Sequence, residues 1–520
     1  MRFLALALLL ALLACTPAHP TPVPYPTYDP FVPAGENTNL PIPANGTIPD
    51  STRPAGPTPT RAPLSVTPAG RAANQPLLTP TPDSPHLLPT PRQQAEQYVV
   101  QAGDTLGGIA ERYGVSVPAL MEANHISNPN LLSVGVILNI PAPQTGEQGS
   151  PFKIIPDSEL VYGPASALFA LDSFIQSKGG YLSSYTQDID GTPLSAAQII
   201  LRVAQYYSVN PRLLLALIEY RSGWVTQPQA TPSDYPLGLL DANHAGLYRQ
   251  LTWAANELNR GYYLWRANAV STWVLADGTV IPIAPTINAG TAAVQAFFAR
   301  QDDQATWQKD VGPFGLFQTY YFLFGNPFDL AIEPLLPAGL SQPHMTLPFE
   351  RGVIWAFTGG PHGGWDTGSA WAALDFAPVG ETQGCYTSDA WVTAVANGLI
   401  VRSGDGAVLQ DLDNDGYEQT GWVIFYMHVE SRDRVQAGTY VYTGDRIGHP
   451  SCEGGVSKGT HLHLARKYNG EWIPADGNLP FILDGWVSSG NGNEYDGFLK
   501  RGAQTLEAWN GISEINEIKR

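Results

Sequence analysis

The apolar positions divide the chain into stretches of different period. After Met1 and Arg2, an apolar run from Phe3 to Leu13 is too short to span a bilayer. Thr16 to Gln94 has no sustained apolar period and is rich in Pro, Thr, Ala and Gly, so it cannot bury enough surface to offset its ordering entropy. Tyr98 to Pro141 is denser. Tyr98 to Val100 reads as a strand, and Asp104-Thr105 caps a helix with Leu106, Ile109, Ala110 and Tyr113 on one face. Gly114 ends that helix, Val117 to Ala123 forms a second, and Val136 to Ile140 is a closing strand. Ala196 to Tyr207, Arg212 to Ser222 and Leu247 to Arg266 carry apolar residues at helical spacing. From Thr346 the period shortens to that of strands, at Ala390 to Ala396, Leu399 to Arg402, Trp422 to His428, Tyr440 to Thr443 and His461 to Tyr468.

The pattern predicts a multidomain α+β chain: a small βααβ module, a mainly α-helical middle domain and an antiparallel β-sheet domain at the C-terminal end. The expected boundaries are a signal peptide at 1–14, a Pro-rich tether at 15–95 and the small module at 96–142. A linker at 143–164, the helical domain at 165–345, the sheet domain at 346–485 and a tail at 486–520 follow. The formal charge of -18 excludes the basic surface that nucleic acid requires. Of the three cysteines, Cys385 and Cys452 share the sheet domain, and in an exported chain they are expected to form a disulfide. Neither has the Cys-x-x-Cys neighbour of a metal site.

Candidate chemistry gathers near the C-terminus. His461 and His463 are two apart on a predicted strand, so both project from one face while Leu462 and Leu464 project from the other. Two imidazoles on one face suit a metal: one nitrogen binds, and the second ring lies beside the reacting water. His362, His428 and His449 fall in the same third of the chain. His449, in a Gly-His-Pro turn, reads as structural or exposed.

Several segments resemble known families. Leu12-Leu13-Ala14-Cys15 resembles the lipobox of bacterial lipoproteins, which implies that Cys15 carries a lipid anchoring the mature chain to the outer face of the membrane. Residues 98–141 resemble a LysM module, with its Gly-Asp-Thr-Leu, Ala123-Asn124 and closing Ile-Pro, implying binding of peptidoglycan glycan strands. Asn210-Pro211 and the following helix resemble lytic transglycosylases and goose-type lysozymes. The family's acid position is held by Arg221, which cannot deliver a proton, and Glu219 sits two residues back on another helix face. The resemblance therefore implies a lysozyme-like fold without glycan cleavage.

Gly360-Pro361-His362, Leu374-Asp375-Phe376, Tyr426-Met427-His428 and His461-Leu462-His463 occur in the order of M23 (LytM/staphylolysin-type) peptidases. The resemblance implies one Zn²⁺ held by His362, Asp375 and His463, with the fourth position left for water or the substrate carbonyl. His428 and His461 would move protons or stabilise the oxyanion. Asp366, in His-Gly-Gly-Trp-Asp, competes for the ligand role; Asp375 is preferred because a carboxylate between Leu374 and Phe376 needs a strong partner. Asp411, Asp413 and Asp415 have the spacing of a Ca²⁺ loop, but Trp422 stands where its bidentate acid belongs, so an acidic hairpin is expected. The implied function is a zinc-dependent endopeptidase cutting peptidoglycan stem and cross-linking peptides. The alternative is a catalytically inactive wall-binding or regulatory lipoprotein.

Overall fold

The computed structural model describes residues 83, 85–101, 104–379 and 384–520. The expected signal peptide, the lipidated Cys15 and most of the tether lie outside the described residues. Among the described residues, no helix is long and apolar enough to cross a membrane.

The small module pairs β1 (Glu96–Val99) with β2 (Ile137–Ile140) around α1 (Leu106–Arg112) and α2 (Val117–Ala123). Thr105 and Ser116 cap the two helices through their hydroxyls. Leu106, Ile109, Leu120, Leu138 and Ile140 form a core of the module's own. Its contacts with the rest of the chain are largely polar. Glu111 pairs with Arg260 at 2.7 Å and with Arg300 at 3.7 Å, and both arginines are partly exposed. Such pairs contribute about 0–1 kcal/mol each.

The helical unit follows, with α3 (Leu171–Lys178), the hairpin β3 (Thr186–Ile189) and β4 (Thr192–Ser195), α4 (Ala196–Tyr207), α5 (Pro211–Ser222) and α6 (Leu247–Arg266). A second hairpin, β5 (Thr272–Val274) and β6 (Val280–Pro282), precedes α7 (Ala289–Ala299), α8 (Gln304–Asp310) and α9 (Leu316–Phe324). Ser195 and Gln198 close a reciprocal capping box on α4, and Asn210 with Pro211 starts α5. The stretch expected as a linker, 143–164, is part of this core instead: Ile154, Ile155, Leu160 and Val161 are fully buried. Its Glu159 is buried against Arg212 and Tyr320. It escaped periodicity because it is irregular backbone between short apolar pairs. The end of the expected tether is also docked, with His86 stacked on Trp265 at 4.4 Å and Asp83 paired with Lys153 at 2.9 Å.

The C-terminal unit is a twisted antiparallel sheet. Its strands are β7 (Ile354–His362), β8 (Ala373–Pro378), β9 (Val392–Thr393), β10 (Gly398–Gly404), β11 (Ala407–Asp411), β12 (Trp422–Met427), β13 (Tyr440–Val441), β14 (Arg446–Gly448), β15 (Leu462–Tyr468) and β16 (Glu471–Trp472). The main sheet runs β13-β10-β11-β12-β15-β8-β7. The expected tail is built in: its β18 (Trp486–Gly490), β19 (Gly497–Arg501) and β20 (Gln504–Glu507) join β17 (Ile482–Leu483) in a second sheet, and β21 (Glu517–Lys519) pairs with β7.

Alternation along β12 and β15 decides the packing. Ile424, Tyr426, Leu462 and Leu464 enter the core behind the sheet. Val423, Phe425, Met427 and Ala465 face forward and join Trp365 and Trp472 in one continuous core with the helical unit. Polar contacts lace the same seam. Ser208 donates to the Gly470 carbonyl at 2.6 Å, and Glu471 receives Tyr262 at 3.2 Å and Arg266 at 2.8 Å.

Lys467 is buried in this seam over the Trp472 ring at 4.5 Å, and burial pushes its ammonium down to about 7. An unfolded lysine titrates near 10.4. Between those values the unfolded chain holds a proton that the folded chain lacks, so this group makes stability rise with pH from about 7 to 10. Lys467→Met should remove that contribution. Urea unfolding at pH 7.5, 8.5 and 9.5 should show the variant gaining on the wild type most at the lowest pH.

Candidate metal centre

Three strands meet at the site. His362 ends β7, and Asp375 on β8 is paired in register with Gly359 on one side and His463 of β15 on the other. Two register shifts at Gly359 to His362 turn the end of β7 over the sheet. Gly359 leaves room for the carboxylate, since a Cβ there would lie 2.8 Å from Asp375 Oδ2.

The ring orientations are set from behind. His362 Nδ1 donates to the Gly360 carbonyl at 2.8 Å, and His463 Nε2 donates to the Gly364 carbonyl at 3.1 Å. The opposite nitrogens, His362 Nε2 and His463 Nδ1, face each other at 3.0 Å. Asp375 Oδ1 lies 3.2 Å from the first and 3.3 Å from the second, buried and without a hydrogen-bond partner. With the other ring nitrogens committed as donors, the neutral rings turn two lone pairs toward the Asp375 carboxylate. Such a set fits a cation, and two imidazoles with one carboxylate are a donor set for Zn²⁺. Burial raises the Asp375 carboxyl, but the His362 and His461 imidazoles outweigh it and hold the group well below the carboxylate range. Burial lowers His463, whereas for His362 the neighbouring Asp375 overcomes burial and raises it.

Two further histidines line the open side. His461 Nδ1 hydrogen-bonds the Gly459 carbonyl at 2.8 Å, and its Nε2 lies 3.7 Å from Asp375 Oδ2. His428, in left-handed backbone at φ 64°, donates from Nδ1 to the Glu453 carbonyl at 3.0 Å. The two ring centroids are 4.5 Å apart. Burial first, then the neighbouring His461 and His463, pushes His428 well below the usual imidazole range. It is therefore a neutral ring with Nδ1–H bound and Nε2 open to accept a proton.

Both rings are held by one loop. Residues 452–461 supply the carbonyls of Glu453 and Gly459, and the Cys385–Cys452 disulfide ties the loop's start to the segment at 384–386. Thr460 stitches the loop's other end to the Gly384 and Tyr386 backbone.

The remaining candidates go elsewhere. Asp366 accepts the Tyr207 hydroxyl at 2.9 Å and caps Thr367, so the competing ligand serves the helical interface. His449 is buried, bound to the Ala390 carbonyl and packed on Trp391. The carboxylates of Asp411, Asp413 and Asp415 do converge, but the loop's own amides from Asp413, Asn414, Gly416 and Tyr417 and the Thr420 hydroxyl occupy them. Burial first, then Asp413, pushes Asp411 up to about 8, and the turn is buried at Asp411 rather than solvated. Glu219 is consumed by the Val225 and Thr226 amides and the Thr226 hydroxyl. Arg221 bridges Asp302 at 2.8 Å and Asp310 at 3.2 Å.

The sequence pattern missed Tyr495, whose ring stacks on His362 at 4.2 Å, and Glu494, which receives the Gly363 amide at 3.3 Å. The turn-forming Asn491-Gly492-Asn493 between β18 and β19 is the signal that a hairpin tip lies there.

Comparison with known proteins fits this layout. A family model described as the LasA N-terminal domain matches residues 153–337, and the LysM domain model matches residues 98–141. Residues 98–141 are thus similar to a LysM domain and are followed by a unit similar to the LasA N-terminal domain. Among relatives, protease LasA of Pseudomonas aeruginosa is 28% identical over 295 residues, covering 52% of this chain. The chain spans 66% of that relative's length. The N-acetylmuramoyl-L-alanine amidase XlyA of Bacillus subtilis is 46% identical over 54 residues, 10% of this chain and 18% of that protein. Among solved structures, the M23 metalloprotease pseudoalterin is similar over 35% of this chain and 100% of its own, at 23% identity and a TM-score of 0.28.

Two outcomes follow from the geometry. In the purified protein, Asp375→Ala and His463→Ala should each abolish zinc binding, read as metal per chain, while Asp366→Asn retains it. His461→Ala should keep zinc but lose about 10²–10⁴-fold in turnover. Replacing both Cys385 and Cys452 by Ser should likewise keep zinc and lower kcat, by on the order of 10²-fold, because the rings lose their alignment. The closed loop separates the cysteines by 67 residues, and such a link stabilises by about 4 kcal/mol, so circular dichroism should accompany the rates.

Proposed function

We propose that the chain is an exported, zinc-dependent endopeptidase that cuts the cross-linking peptides of peptidoglycan, held at the wall by its LysM module. The observation that carries this reading is the convergence of His362, Asp375 and His463, with His428 and His461 beside them. Zinc bound there would polarise the peptide carbonyl and make water a stronger nucleophile near neutral pH.

The protein's own groups supply the rest. His428 Nε2 takes the proton from the attacking water, its ring kept in one tautomer by the Glu453 carbonyl. His428 then passes that proton to the leaving amine, and His461, its Nδ1–H held by the Gly459 carbonyl, donates to the developing oxyanion from Nε2 when that nitrogen too carries a proton. Tyr495 packs flat against His362 and shields one side of the ligand set. The similarity to protease LasA, and the LysM-length similarity to a cell-wall amidase, agree with a wall substrate. In this reading the lipobox-like Leu12 to Cys15 gives the enzyme a lipid anchor at Cys15, on the outer face of the membrane. The helical unit cuts no glycan in this reading, since Arg221 and Glu219 are spent on structural contacts.

Digestion of purified peptidoglycan tests the reading. Mass spectrometry should find new amino termini within cross-linking peptides and intact glycan strands, and Glu219→Gln should leave the product pattern unchanged. Glycan ends that vanish with Glu219→Gln would instead assign the helical unit a catalytic acid.

A further inference from the structure

His428 leaves β12 in left-handed backbone, at φ 64°, a conformation that a residue with a Cβ keeps only where its surroundings fix it. The bend carries its ring over the metal set, with centroids 4.5 Å from His461 and 6.2 Å from His463. What fixes the bend is the buried Ser451. Its amide and its hydroxyl both donate to the His428 carbonyl, at 2.7 Å and 3.0 Å. Its Oγ also accepts the Glu453 amide at 3.0 Å, and the Glu453 carbonyl accepts His428 Nδ1–H at 3.0 Å. Backbone and ring of His428 are thus closed into one circuit through a single hydroxyl.

The same residue reaches the second ring. The Ser451 carbonyl receives the His461 amide at 3.3 Å, where the two residues form an antiparallel bridge. The circuit is also braced from outside. Glu453 Oε1 accepts the Ser431 hydroxyl at 2.9 Å, and Oε2 lies 3.4 Å from the Arg434 guanidinium, which itself donates to the Val429 carbonyl at 2.9 Å. Gly406 passes close behind: a Cβ there would lie 2.3 Å from the Glu453 carbonyl oxygen. Every member of the circuit belongs to the C-terminal unit, and none is His362, Asp375 or His463.

We propose that Ser451 is the positioning residue for both non-ligand rings, its hydroxyl fixing the tautomer and aim of His428 and its carbonyl the backbone of His461. This rests on the endopeptidase reading above. The hydrogen bond made by one imidazole nitrogen sets what the other can do, so slack in the Glu453 carbonyl becomes slack at His428 Nε2. Loss of the hydroxyl takes the acceptor from the Glu453 amide and one of two donors from the His428 carbonyl, while the ligand set keeps its own contacts. A misplacement of about 1 Å in such a group costs on the order of 10²-fold in rate.

Histidine-selective ¹⁵N NMR of the full chain reads the ring directly, with the His428 signals identified by their loss in His428→Gln. The wild type should show one neutral tautomer, protonated at Nδ1. Ser451→Ala should show averaged tautomers, keep wild-type zinc per chain and lose about 10–100-fold in kcat with little change in KM. Ser451→Thr, which keeps a hydroxyl, should recover the single tautomer. Arg434→Gln loosens Glu453 from outside and should move the signals in the same direction by less; it serves if Ser451→Ala does not fold. A His428 ring unchanged from the wild type in Ser451→Ala, or in Arg434→Gln where that variant stands in, would overturn the proposal. Zinc lost in step with the ring signal would overturn it too, since the serine would then hold the ligand set. A wild type that binds no zinc and cuts no peptide, yet whose His428 ring responds to Ser451→Ala as expected, would overturn the endopeptidase reading alone.

Discussion

Two strands with a period of two must satisfy different demands on their two faces. Behind β12 and β15, Ile424, Tyr426, Leu462 and Leu464 require an apolar core. In front, His463 and Phe425 stand side by side, one offering a lone pair and the other a ring. A one-residue slip of register would bury the imidazole and expose the leucines, so the register is specified strongly. The front face cannot be left to solvent either, because Val423, Met427, Trp365 and Trp472 share it. The helical unit is the cover this face demands, and the polar edge of the same face is where ligands can gather.

That arrangement explains the odd electrostatics of the seam. Lys467 on β15 lies over the Trp472 ring and Glu471 on β16 receives Arg266; burial pushes the first down to about 7 and the second up to about 6. Charged groups so placed are a weak source of stability, because desolvation offsets their attraction. Their service is geometric. Glu471 accepts only where Tyr262 and Arg266 stand, which fixes how α6 lies on the sheet.

Much of this was legible in residue order. Leu247 to Arg266 is long, periodic and bounded, and the helix occupies those residues. Strand alternation puts His461 and His463 on one face, the resemblance to M23 peptidases singles out His362, Asp375 and His463 as ligands, and apolar neighbours favour Asp375 over Asp366. What stayed hidden had no period to read. The 143–164 stretch is buried as irregular backbone, β7 is broken by Gly359, Gly360 and Pro361, and Tyr495 reaches the site from a hairpin tip far along the chain. Nor could spacing alone reject Asp366; only the Tyr207 hydroxyl across the interface shows where that carboxylate is committed.

The disulfide beside the site has a bearing on where the molecule can act. Its two cysteines clamp the loop that aims His428 and His461, but neither touches His362, Asp375 or His463. Thiol-reducing compartments keep such a bond open, and oxidising ones close it. A chain folded inside the cell would hold its metal set while its proton carriers remain unaligned. Transfer to an oxidising compartment would complete the second half of the site. For the endopeptidase proposed above, compartment would then act as a safeguard, with cutting held silent until the protein stands beside its substrate.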